Sequence, residues 1–173
     1  MTLVATSPPA PVMLGARPLG VGRLLLTGAI VAALDGLAAV ALHAGILHTM
    51  SPAALFGGIA ALALGPDAPA DRATRAWVGV AVHVGVAFAW TAAYGTAYRR
   101  SHALRHAVAS RATLPLVAVA FGTLVWVTMS FVVLPSFGAR RPSPTSAAFL
   151  ATLIIHWMCV GLPIVTLVRQ RAV

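Results

Sequence analysis

The sequence predicts an all-α integral membrane protein: four transmembrane helices in a bundle, with a short interfacial or re-entrant helix between helices 1 and 2. Three observations carry that prediction. The 173 residues are 60% hydrophobic and 9% charged, against roughly 25% charged in soluble domains, and the mean hydropathy is +0.92. The apolar residues are gathered into four runs, each long enough to cross ~30 Å of hydrocarbon. The charges lie between the runs, and all 12 basic residues are arginine.

Taken in order, residues 1–23, "MTLVATSPPAPVMLGARPLGVGR", are Pro-rich and are expected to form a disordered cytoplasmic segment. The apolar run after Arg23 is too long for the core of a signal peptide and has no small-residue cleavage site close behind it, so it is read as a retained helix over Leu24 to Leu47. Next comes "SPAALFGGIAALALG", with Ser51 placed as an N-cap and Pro52 as the first helical residue. At about 13 residues this helix is too short to span a bilayer. The remaining spans are expected over Trp77 to Tyr98, Leu114 to Leu134 and Ala147 to Val168, making residues 24–169 one transmembrane domain with a cytoplasmic tail over 170–173. Pro135 and Pro163 fall near helix ends, where they read as terminators or kinks.

Orientation follows from the arginines. With the N-terminus inside, Arg17, Arg23, Arg99, Arg100, Arg105, Arg111, Arg169 and Arg171 fall on the cytoplasmic face, and Arg72, Arg75, Arg140 and Arg141 on the other. Positive-inside sorting then places both termini in the cytoplasm, although Arg140 and Arg141 run against the bias. The net charge of +9 does not point to nucleic acid, because the basic residues lie between apolar runs rather than along one face. Cys159, the single cysteine, excludes an intramolecular disulfide. Hydrolytic chemistry finds no support, since the chain has no glutamate, no GxSxG and no HExxH. Asp67 and Asp71 lie beside Arg72 and Arg75 in one loop, where local ion pairing is the simple expectation.

The informative residues are polar ones inside the apolar runs. In the first, Gly28, Ala32, Asp35, Ala39 and His43 recur at helical spacing, giving one small and polar face. The second carries His83, Ala87, Trp90, Tyr94 and Tyr98, with Thr91 adjacent; the third carries Thr123, Val127 and Ser130; the fourth carries Thr152, His156, Cys159 and Pro163. At 1.5 Å per residue, His43, His83 and His156 all fall roughly 5 to 14 Å from the outer boundary, with Asp35 deeper. An ionised carboxylate at mid-depth costs about 2.5 to 3.5 kcal/mol, so Asp35 must be protonated, hydrogen-bonded or paired. Asp35, His43, His83 and His156 are therefore the candidate polar core. Asp35 would carry a proton, and His83 and His156 would relay or gate it.

The end of the second run, "HVGVAFAWTAAYGTAYRR", with "FVVLPSFG" and "IIHWMCVGLPIVTLVRQR", resembles a widespread group of four-helix bacterial membrane proteins. That group is distantly similar to the YagU-like inner-membrane family, associated with acid resistance. The resemblance extends from Leu24 onward and includes "GAIVAALD". It implies a bacterial inner-membrane location and a role in envelope or acid stress, and it assigns no catalytic residue.

The expected function is thus non-enzymatic proton or ion handling, with no cofactor. The lipid bilayer is the expected partner, together with a second copy or a membrane complex, since four helices leave little room for a private pathway. One alternative is a redox protein in which His83 and His156 ligate a b-type haem, or in which His43 joins them at a metal site. Another is a scaffold subunit that meets its partner through Gly57, Gly58, Gly85 and Ala89.

Overall fold

In a computed structural model of the protein, residues 19–169 are described. The expectations for a disordered leader and for the tail fall, over 1–18 and 170–173, outside the described residues. Among the described residues six helices, with a short 3-10 turn over Gly65–Asp67, make up the fold: α1 (Val21–Ile46), α2 (Pro52–Leu64), α3 (Arg72–Arg100), α4 (His102–Ala109), α5 (Leu114–Ser136) and α6 (Ala147–Val168). Helix α1 begins at Val21, so Val21 to Arg23 are helical rather than part of the leader. Four helices, α1, α3, α5 and α6, are long and apolar enough to cross a membrane.

Local chemistry explains where several of these helices start. Ser51 Oγ accepts the Ala54 N–H at 3.2 Å, with Pro52 behind it as the first helical residue. Asp71 Oδ2 accepts the Thr74 N–H at 2.7 Å and so caps α3. Ser101 Oγ caps α4 through the Leu104 N–H at 3.1 Å. Each cap satisfies a donor that the first turn of a helix leaves free. The capping role corrects the expectation of ion pairing in that loop: Asp71 spends its carboxylate on backbone, Arg72 donates to Ser51 Oγ, and Arg75 donates to the Pro69 and Ala70 carbonyls. Helix α4, in the basic segment after α3, is an element beyond the four spans and one short helix expected from the sequence. Its Val108 is buried in the core, and Arg169 donates to the Val108 carbonyl at 3.1 Å.

Helix α1 packs on α3 and α6, and α5 packs on α6. Aromatic contacts close the ring, with Phe121 of α5 against Trp90 and Tyr94 of α3 at centroid distances of 6.2 and 4.8 Å. The α5–α6 contact is a backbone approach. A Cβ on Gly122 would meet the His156 carbonyl oxygen at 2.7 Å, and one on Gly161 would strike the Ala118 carbonyl. Small residues let helices come this close. The same contact sets the rotation of α5, whose inward line runs through Ala118, Gly122, Val125 and Trp126. Val127, expected on the polar face, is therefore turned outward. Helix α2 lies on α3, close enough at Gly79 that a Cβ there would strike the Phe56 carbonyl.

Three of the long helices contain a wide π turn: Ala41–Ile46 in α1, Thr128–Val133 in α5 and His156–Gly161 in α6. Two of these lie immediately before Pro135 and Pro163 in the chain. A helical proline removes one hydrogen bond and its ring presses on the carbonyl four residues back. Opening the preceding turn relieves both, which is why α6 continues past Pro163 to Val168 instead of ending there.

The outside of the bundle is apolar. Leu25, Leu26 and Leu37 of α1, Trp77 of α3, Leu116 and Leu124 of α5, and Leu150 and Met158 of α6 are all more than half exposed. A water-facing surface does not carry apolar side chains in this density along every long helix.

Candidate functional site

The two halves of the bundle differ. In the half that holds the start of α5 and the end of α6, Ile164, Val165 and Val168 are fully buried, with Tyr94 and Tyr98 packed beside them. In the other half lies a cavity of about 400 Å³. It is bounded by the later half of α1, the middle of α3, the later half of α5, α6 from Ala148 to Val160, Ile59 of α2, and Arg140 and Pro142 of the loop between α5 and α6.

All four sequence-predicted residues line this one cavity: Asp35, His43, His83 and His156. Each arrives by a different local route. Asp35 shares the inner side of α1 with Val31, the α-helical spacing read from the sequence. His43 is carried by the π turn of α1, and His156 opens the π turn of α6. His83 sits on the unbroken α-helix of α3, where Phe56 packs edge-on against its ring at 5.8 Å. The π turn of α5 adds Met129 and Ser130, so each of the three π turns contributes to the same space.

The hydrogen bonds fix what the imidazoles present. His83 Nε2 lies 3.1 Å from the Ala32 carbonyl oxygen, and His156 Nδ1 lies 2.8 Å from the Thr152 carbonyl oxygen. A carbonyl only accepts, so each of these nitrogens carries a proton and the other ring nitrogen keeps its lone pair in the neutral form. His43 follows the same rule. Thr49 donates its hydroxyl proton to the His43 carbonyl, which leaves Thr49 Oγ1 to accept from His43 Nδ1 at 3.2 Å. The second nitrogen of all three rings has no hydrogen-bond partner among the described residues, and neither has the Asp35 carboxyl. The approach of His83 to α1 depends on Gly36, where a Cβ would come within 3.2 Å of Nε2.

The rest of the lining is largely apolar and aromatic, with Val86, Trp90, Val125, Trp126 and Phe149. Trp126 Nε1 donates to Thr152 Oγ1 at 3.1 Å, tying α5 to α6 at the cavity wall. Among the described residues no three His, Cys, Asp or Glu side chains group closely enough to hold a metal ion together. The imidazoles therefore share a cavity without converging on one point.

Arg140 is the lining residue that sequence reasoning missed. The signal was available, since Arg140 and Arg141 stood on the side where positive charge is disfavoured, but it was taken as a departure in topology rather than as part of a site. Tyr94 stands one helical turn beyond Trp90, in the closed half. Its hydroxyl is buried and is without a hydrogen-bond partner among the described residues. Of the small residues expected to meet a partner, Gly57 is buried within the chain near Arg75, while Gly58, Gly85 and Ala89 face outward. No family model, curated protein or solved structure matches the chain.

Proposed function

We propose that the chain is a non-enzymatic, multi-pass protein of a bacterial inner membrane, with both termini cytoplasmic, that handles protons or small cations through the bundle cavity. The observation that carries this reading is the lining of one cavity by a carboxyl and three imidazoles, where the carboxyl and one nitrogen of each ring have no hydrogen-bond partner among the described residues. Such a set offers proton-accepting and proton-donating atoms to one shared space. Asp35 is the carrier, and His83 and His156 relay to it. The π turns support the same reading, because single-turn widening of this kind gathers at functional sites. The role in acid or envelope stress implied by the YagU-like resemblance is that of a membrane protein with this chemistry.

The experiment is a pH-jump assay on liposomes containing the purified protein and a lumenal pH indicator. Wild type dissipates the gradient faster than protein-free liposomes, and Asp35→Asn abolishes the difference. Equal rates for wild type and empty liposomes, both with and without sodium or potassium gradients, would remove the transport reading.

A second reading is favoured by the anchoring of His156 at Nδ1, since ligating imidazoles characteristically donate their other N–H to a carbonyl, while His83, anchored at Nε2, would have to ligate through Nδ1. In that reading the pair would ligate a b-type haem. A Soret band in protein purified from its native membrane, lost in both His83→Ala and His156→Ala, is the result it requires.

A further inference from the structure

The cavity has a second property besides holding titratable groups: on its helical walls, leaving aside Arg140 of the connecting loop, the polar atoms are mostly acceptors. Asp35 offers two carboxyl oxygens, and His43 Nε2, His83 Nδ1 and His156 Nε2 each offer a lone pair, because the partner nitrogen of each ring has its proton committed to another group. Against these stand the N–H of Trp90, which has no hydrogen-bond partner among the described residues, the hydroxyl of Ser130, and the guanidinium of Arg140 on the connecting loop. Trp90, Trp126 and Phe149 add aromatic rings to the lining. At about 400 Å³ the space is that of a small-molecule site.

From this we infer that the cavity binds a small organic ammonium ion with an apolar or aromatic body. The ligand follows from complementarity. An ammonium N–H brings donors that the helical walls are short of, its charge pairs with the Asp35 carboxylate, and the aromatic rings favour a cation and cover the apolar body. A carboxylate of the same shape would instead put its charge beside Asp35 and face acceptors with acceptors, a mismatch that costs affinity. Arg140 opposes the cation, but it lies on an exposed loop, where solvent and salt screen it. This inference names the ligand class of the cavity described above and rests on the same site.

Calorimetric titration of the detergent-solubilised protein with 2-phenylethylammonium, its N-trimethylated analogue and 3-phenylpropionate tests it, with protein-free micelles as the blank. The primary ammonium binds, the trimethylated ion binds more weakly because it has no N–H, and the carboxylate does not bind. Asp35→Asn weakens the ammonium by at least about tenfold, Asp35→Glu restores most of that loss, and Arg140→Gln tightens it severalfold. Binding of 3-phenylpropionate as tight as that of the ammonium would overturn the inference. So would an Asp35→Asn protein with unchanged thermal melting and unchanged ammonium affinity, or loss of binding in Arg140→Gln. Proton flux without ammonium binding overturns this inference alone, whereas ammonium binding without flux supports it and overturns the transport reading.

Discussion

Tyr94 and Asp71 show how differently a single polar residue is treated inside and outside the apolar part of the chain. The Tyr94 hydroxyl is buried without a partner among the described residues, and an unsatisfied buried donor carries a desolvation penalty of about 1–3 kcal/mol. Tyr94→Phe is therefore expected to raise thermal stability in detergent by about 1 kcal/mol. If the hydroxyl passes a proton across the closed half of the bundle, the same change slows liposome flux, so stability and flux move in opposite directions. Asp71, by contrast, is fully exposed and held by the Thr74 backbone N–H, which lowers its pKa from the usual 3.8. A carboxylate with a depressed native pKa adds stability that is present above its unfolded pKa and lost as pH falls through the native one. Asp71→Ala should lower the melting temperature at neutral pH. The gap between variant and wild type should close below pH 3.8, and a gap that persists in acid would show that the cap acts without its charge.

Among the helices, α5 and α6 depend most on one contact. Alanine at Gly161 would drive a Cβ into the Ala118 carbonyl, and alanine at Gly122 would press on the backbone of His156 and Trp157. Backbone cannot rotate away as a flexible side chain can, so each substitution is expected to cost about 1–3 kcal/mol, read as a lower melting temperature. Gly85→Ala, on the outward side of α3, should leave the isolated protein unchanged. This contrast marks how far the sequence could be read. Helix α3 is a single unbroken α-helix, so the stripe of His83, Ala87, Trp90, Tyr94 and Tyr98 faces the bundle interior as 3.6-residue spacing requires. The spans themselves were legible from apolar run length, and α6 has the bounds expected of it. In α5 the inward face is set by a backbone contact with another helix, which no local spacing encodes, and Val127 was misplaced for that reason. The π turns were also hidden, because helical periodicity assumes a constant turn; only Pro135 and Pro163 marked where two of them would be needed. The short α4 was hidden by its arginines and histidines, which read as loop although Leu104 and Val108 pack inward.

For the molecule as a whole, the arrangement is inside-out relative to a soluble bundle: apolar side chains outward, and a partly polar cavity at one end above a closed apolar half. This asymmetry is what joins the membrane reading to the functional one, since Asp35 lines the cavity rather than the closed half. The measurement that tests this most directly is thiol labelling in native membranes. In a Cys159→Ser background, Asp35→Cys and Leu37→Cys are compared for reaction with a membrane-impermeant methanethiosulfonate reagent applied from the outer face. Leu37 lies two residues away on the same helix but is 68% exposed on the outside of the bundle. Labelling at position 35 and none at position 37 is the expected result. Labelling at position 37 with none at position 35 would contradict the account.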